Sequence, residues 1–156
     1  MPDADASEAV DAYERVLLPT DGSAATDAAI EESGRVAALS EATVHVLSVA
    51  DSRNRFESPT AGLAPEAWER AEHDRAETAV TEAVEALPEG VTTESAVREG
   101  TPATAILDYA DDADIDVIVM GTHGRTGLDH YLVGSVTERV VRKSPVPVLT
   151  VRAERR

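Results

Sequence analysis

The chain has 156 residues, is 42% hydrophobic but only 3% aromatic, and carries a formal charge of −16 with no Cys. This length suits one domain with a core of Val, Leu, Ile and Ala. Such acidity argues against non-specific binding to nucleic acid or to an anionic membrane surface, since both are polyanions, and the lack of Cys excludes disulfides and thiolate sites. No apolar run approaches the roughly 18 residues needed to span a bilayer. The start, Met1-Pro2-Asp3-Ala4-Asp5, lacks the basic then apolar pattern of a signal peptide. The expected setting is cytoplasmic. An acidic, Ala-rich chain whose one lysine is Lys143 also resembles proteins of a high-salt, halophilic cytoplasm, where salt screens self-repulsion.

Residues 1–12 are expected to form a mobile acidic tail, followed by a single domain over 13–152 and a short tail over 153–156. Tyr13 to Thr20 reads as a strand centred on Val16-Leu17-Leu18. Asp21-Gly22-Ser23 makes a turn, and Ser23 or a neighbour caps a helix to about Leu39 with Ile30, Val36 and Ala37 inward. Gly34 within that helix costs propensity, and close packing on the sheet would account for it. Ala42 to Ala50 is a second strand, and Asp51 to Gly62 a polar loop. Pro65 opens a long helix to Leu87, with Trp68, Ala71, Ala79, Val80, Ala83, Val84 and Leu87 on its buried face. Val91 to Glu99 alternates weakly and reads as an edge strand. Thr101 and Pro102 start another helix, with Ile106, Leu107 and Ala110 inward. Asp112-x-Asp114-x-Asp116 mimics the opening of a calcium loop, but Val117 stands where such a loop needs Gly. It reads as a solvated connection.

Val117 to Met120 is a continuous apolar run, as expected of a parallel strand covered on both faces. Gly121, Gly124 and Gly134-Ser135 follow, and from Val136 the pattern is helical, with Val136, Val140 and Val141 on one face. Strand, Gly-rich loop and helix N-terminus is an order that binds phosphate, because free amides and the positive end of the helix dipole meet at one spot. The alternative is a set of plain turn formers. No Lys follows Gly134, so the loop is not a Walker-type phosphate loop. His45 falls on a strand, His73 on a helix surface and His130 late in the loop, none at metal-ligand spacing. Strands alternating with helices mean a doubly wound, open parallel α/β sandwich with right-handed crossovers.

The spacing Gly121-x2-Gly124-x9-Gly134-Ser135 resembles the nucleotide-binding signature of the universal stress protein family, in its ATP-binding class. The N-terminal Val16-Leu17-Leu18-Pro19-Thr20-Asp21-Gly22-Ser23 and the exit Ser144-Pro145-Val146-Pro147-Val148-Leu149 resemble it too. The resemblance implies five parallel strands in the order 3-2-1-4-5. Ligands of open α/β sheets sit where the strand order reverses, beyond the strands' carboxyl ends. There the end of strand one and the loop after strand four would face each other.

By resemblance, Pro19 and Asp21 line the ribose, with Thr20 between them among the binding residues, Val49 packs near adenine, and Met120 and Gly121 complete the adenine and ribose pocket. Gly124, Gly134, Ser135 and Val136 hold phosphates, with His123 and Arg125 adding local positive charge and Mg²⁺ or Mn²⁺ assisting. Asp21 is also a candidate for holding the cation, and its alternative role is in the turn beside Gly22. The function implied is an ATP-binding regulatory protein acting through nucleotide-dependent contacts with a dimer mate or an unknown protein partner. No dedicated base is found to activate water, so rapid hydrolysis is not expected. Alternatives are a slow metal-dependent ATPase and a nucleotide-free interaction module. A homodimer is implied through the 146–151 strand, where Val146, Val148 and Val151 would need cover.

Overall fold

The structure, a computed structural model, describes residues 11–53, 64–123 and 133–153. Most of the acidic N-terminal stretch, most of the polar loop after residue 53, Gly124, Arg125, His130 and the last three residues lie outside the described residues. Chain order is β1 (Arg15–Pro19), a 3-10 turn (Ala24–Thr26), α1 (Asp27–Ser40), β2 (Thr43–Asp51), α2 (Pro65–Ala86), β3 (Thr93–Gly100), α3 (Pro102–Asp112), β4 (Val117–Gly121), α4 (Ser135–Lys143) and β5 (Val148–Val151). All strand pairs are parallel, in the order β3-β2-β1-β4-β5. The order therefore reverses between β1 and β4, as expected.

The continuous apolar runs divide by parity, because alternate side chains of a strand point to opposite faces. Val16, Leu18, Val44, Val46, Val117 and Val119 face one way, against α1 and α2. Leu17, Leu47, Val49, Ile118 and Met120 face the other, against α3 and Val140 of α4. Both faces of β1 and β4 are covered from Val16 and from Val117 onward, so past the exposed Arg15 these strands carry no polar side chain. β3 is an edge strand and only part-buried, which explains its weak alternation.

Several local expectations need correction. Ala71 is exposed and Ala76 takes its place on the buried face of α2. The true inner row runs 68-72-76-79, so Glu72 lies on the inner side and Ala71 is turned away. Gly34 faces Pro88 rather than the sheet: a Cβ there would come within 2.8 Å of the proline Cδ. Neither Ser23 nor Thr101 makes a side-chain cap bond, and the 3-10 turn precedes α1. Asp116 is not merely solvated, since its Oδ2 accepts from the Glu14 and Arg15 amides at the entry to β1 (2.8 and 2.9 Å). Val141 is 50% exposed, one residue and about 100° of helix beyond buried Val140. Val146, Val148 and Val151 already pack within the chain, and Leu149 is the exposed apolar residue of β5.

His45 sits buried on β2, with Nδ1 2.8 Å from the Tyr109 hydroxyl and 3.6 Å from a Glu94 carboxylate oxygen. Burial holds its pKa below the ordinary 6.5, with Arg15 adding to the lowering and Glu94 opposing it. As pH falls, the unfolded chain takes up this proton first. Stability from neutral His45 is thus full above 6.5 and is lost as pH falls through that value towards the folded one. We predict that the unfolding midpoint, followed by the emission of Trp68, falls between about pH 7.5 and 5.5 more steeply in the wild type than in His45→Gln. Parallel pH profiles would contradict this.

Candidate functional site

A cleft of about 450 Å³ opens at the carboxyl ends of the strands, at the reversal between β1 and β4. That volume is within the range of small-molecule sites. Its apolar lining comes from Leu47, Val49, Ile106 and Met120. Pro19, Thr20, Asp21, Gly121, His123, Gly134, Ser135 and Val136 line it as well. Ten of the twelve sequence-predicted residues thus meet in one cavity, from both halves of the chain. The other two, Gly124 and Arg125, lie outside the described residues.

The β1 side of the cleft is a tight turn. Gly22 has φ +79°, a conformation glycine adopts without a Cβ clash. Asp21 Oδ1 accepts the Ser23 amide at 2.9 Å, and the Gly22 amide donates to the Thr20 hydroxyl at 3.2 Å. Thr26 donates its hydroxyl to the Ser23 carbonyl at 2.7 Å. Asp21 therefore does fill the turn role, and the residue also lines the cleft.

The β4 side is stitched to α4. The Gly134 amide donates to the Thr122 carbonyl at 2.6 Å, and the Thr137 hydroxyl donates to the Gly121 carbonyl at 2.8 Å. These bonds bring the chain back to β4 and aim the N-terminus of α4 at the cleft. Gly134 is the N-cap residue and Ser135 the first of the helix. The first amides of a helix lack intrahelical partners, and here they belong to residues that line the cleft. His123 holds Nδ1 2.9 Å from the Thr122 hydroxyl, while its buried Nε2 has no hydrogen-bond partner among the described residues. A buried polar atom without a partner is costly, and a polar ligand group in the cleft would relieve it.

The β2 side carries residues that the sequence reading missed: Asp51, Arg53 and Arg75, with Glu72 behind them. Arg53 clasps Asp51 through Nε and Nη2, at 3.1 and 2.9 Å, which holds its pKa still higher than usual. Arg75 pairs with Glu72 Oε1 through Nε and Nη2, at 3.0 and 2.9 Å. A signal existed: Glu72 falls on the inner row of α2 with Trp68, Ala76 and Ala79, where a solvated charge does not belong. Thr26, Pro102, Ile106 and Thr137 also line the cleft without having been expected there. Among the described residues, no group of three or more His, Asp or Glu could hold a metal ion on its own.

The model of the universal stress protein family matches residues 12–152. The chain belongs to this family. Protein MJ0531 of Methanocaldococcus jannaschii, a universal stress protein, is 36% identical over 149 residues, which span 90% of this chain and 82% of that one. MJ0577 of the same organism is 30% identical over 155 residues, spanning 90% and 95%. The solved structure of MJ0577 superposes with a TM-score of 0.71 at 31% identity, covering 93% of this chain and 99% of that one. A universal stress protein solved in complex with cAMP superposes with a TM-score of 0.60 at 28% identity, covering 92% and 99%. The likeness extends over nine-tenths or more of this universal stress protein.

Gly121 has a more specific reason than release of the chain from β4. A Cβ on it would lie 2.7 Å from the Ala25 carbonyl oxygen, backbone that has little room to yield. The β1 turn and the end of β4 thus close on each other only over a bare α-carbon. Gly121→Ala is expected to cost about 1–3 kcal/mol, as overpacking does, read as a lower urea midpoint. An unchanged midpoint would contradict that contact.

Proposed function

We propose that the cleft binds an adenine nucleotide of the ATP type and that this universal stress protein works as a nucleotide-dependent regulator. The observation that carries the reading is the convergence of the β1 turn, the β2 end and the β4–α4 junction on one cavity at the strand-order reversal. Support comes also from the cAMP complex of a relative at 28% identity. In this reading the base packs among Val49, Ile106 and Met120, and Asp21 accepts from ribose hydroxyls. The phosphates lie at the N-terminus of α4, on the amides of Ser135 and Val136 beside Gly134, whose own amide is already given to the Thr122 carbonyl. His123 Nε2 gains a partner from the ligand.

A Mg²⁺ or Mn²⁺ ion would be held chiefly by the phosphates, with Asp21 as the nearby carboxylate, since magnesium sites often use one or two carboxylates plus substrate oxygens. The bound state would be read by a dimer mate or another protein. β5 is an open edge with Leu149 39% exposed, and a twofold partner on this strand would cover it.

The test is quantitative mass spectrometry of what the purified protein releases on denaturation, with calorimetry of added MgATP on nucleotide-free protein. We expect adenine nucleotide approaching one per chain, or a saturable binding heat. Following the same sample over hours separates ATP retention from conversion to ADP. No released nucleotide together with no heat would overturn the reading in favour of a nucleotide-free interaction module.

A further inference from the structure

Arg75 lies on α2, 54 residues from Asp21 in sequence, yet it ties the cleft together. Nη1 donates to the Asp21 carbonyl at 3.1 Å and Nη2 to the Val49 carbonyl at 2.9 Å. One guanidinium thus bridges the ends of two neighbouring strands, β1 and β2. Its remaining donors are aimed by Glu72, whose Oε1 also accepts the Asp51 amide at 3.2 Å. The Arg75 side chain is 23% exposed and that of Glu72 12%, so the pair is shielded from screening water. A second contact points the same way. A Cβ on Gly22 would lie 3.2 Å from the Ala79 Cβ, one helical turn along α2 from Arg75. The β1 turn therefore rests directly on α2.

We propose that Arg75 is a positioning residue: its planar fork fixes the separation of the Asp21 and Val49 backbones, and so the width of the cleft where ribose and base would sit. The assignment of ribose and base rests on the nucleotide reading above; the clamp itself does not. A guanidinium suits this task because its donors diverge in a fixed plane, whereas a lysine ammonium is one compact point of charge on a flexible stem. Arg75 acts through two carbonyls and its charge is met by Glu72. Its loss should then weaken every ligand that uses Asp21 and Val49, whatever phosphates that ligand carries.

The experiment compares wild type, Arg75→Met and Arg75→Lys by calorimetry with adenosine and with MgATP. Amide hydrogen exchange is measured at Thr20, whose N–H donates to the Leu47 carbonyl at 2.8 Å across the clamped strands. Arg75→Lys keeps the charge and serves should Arg75→Met fail to fold. We expect both variants to lose at least about tenfold in affinity, by a similar factor for adenosine and for MgATP, the fold-change of one lost charge-assisted hydrogen bond. Thr20 exchange should quicken relative to Ile118 in the sheet centre. A loss confined to MgATP and restored by Arg75→Lys would overturn the proposal in favour of direct phosphate contact. Unchanged affinities, with only a lower unfolding midpoint, would reduce Arg75 to a general structural role. If the wild type binds neither ligand, the nucleotide reading fails, and Thr20 exchange alone decides the clamp: unchanged exchange overturns it.

Discussion

The candidate site depends on the pairing of β1 with β4. Val16 lies opposite Val117 and Leu17 opposite Ile118, segments about a hundred residues apart in sequence. The two strands are covered on both faces, and burial of apolar surface is the dominant favourable contribution to folding. The same pairing creates the reversal in strand order, because β2 and β3 lie to one side and β5 to the other. Two strand ends whose following loops turn in different directions leave a crevice between them. The cleft is thus a consequence of the topology, before any particular side chain is considered.

Side chains then decide what the crevice can hold. A protein carrying −16 is a poor host for a polyphosphate unless the local field differs from the overall one. In the nucleotide reading that difference comes at short range from the helix N-terminus at Gly134-Ser135, which faces two arginines on the opposite wall. The arginines are matched by Asp51 and Glu72 rather than left bare. Arg75 gives its other donors to the Asp21 and Val49 carbonyls, which fits the proposed task of holding backbone in place. Selective binding of a small anion by fixed dipoles is compatible with rejection of nucleic acid by the overall charge.

Much of this was legible in the sequence, and the reasons differ by element. Val117 to Met120 and Val16 to Leu18 declare themselves because parallel central strands need apolar side chains on both faces. The glycine spacing after Val117 declares itself because turns and close approaches tolerate few other residues, as the Ala25 carbonyl against Gly121 illustrates. Arg75 and Glu72 were easily passed over, since an Arg and a Glu three apart on a helix usually form a solvated pair, and the inner place of Glu72 shows only once the buried row of α2 is drawn through Ala76 rather than Ala71. Their meaning depends on which strand ends α2 lies beside, and that is set by tertiary packing. Thr137 was hidden in the same way: its hydroxyl is buried only because α4 folds back onto Gly121. Val141 misled for the opposite reason, being an apolar residue on a helix flank.

The most direct test of the account is an amide NMR titration of the isotopically labelled protein with MgATP. The account predicts that the largest shifts fall together on Thr20, Asp21, Val49, Gly121, His123, Ser135 and Thr137, drawn from both halves of the chain. Shifts confined to another surface, or none at saturating nucleotide, would contradict the claim that the β1–β4 reversal builds a nucleotide site.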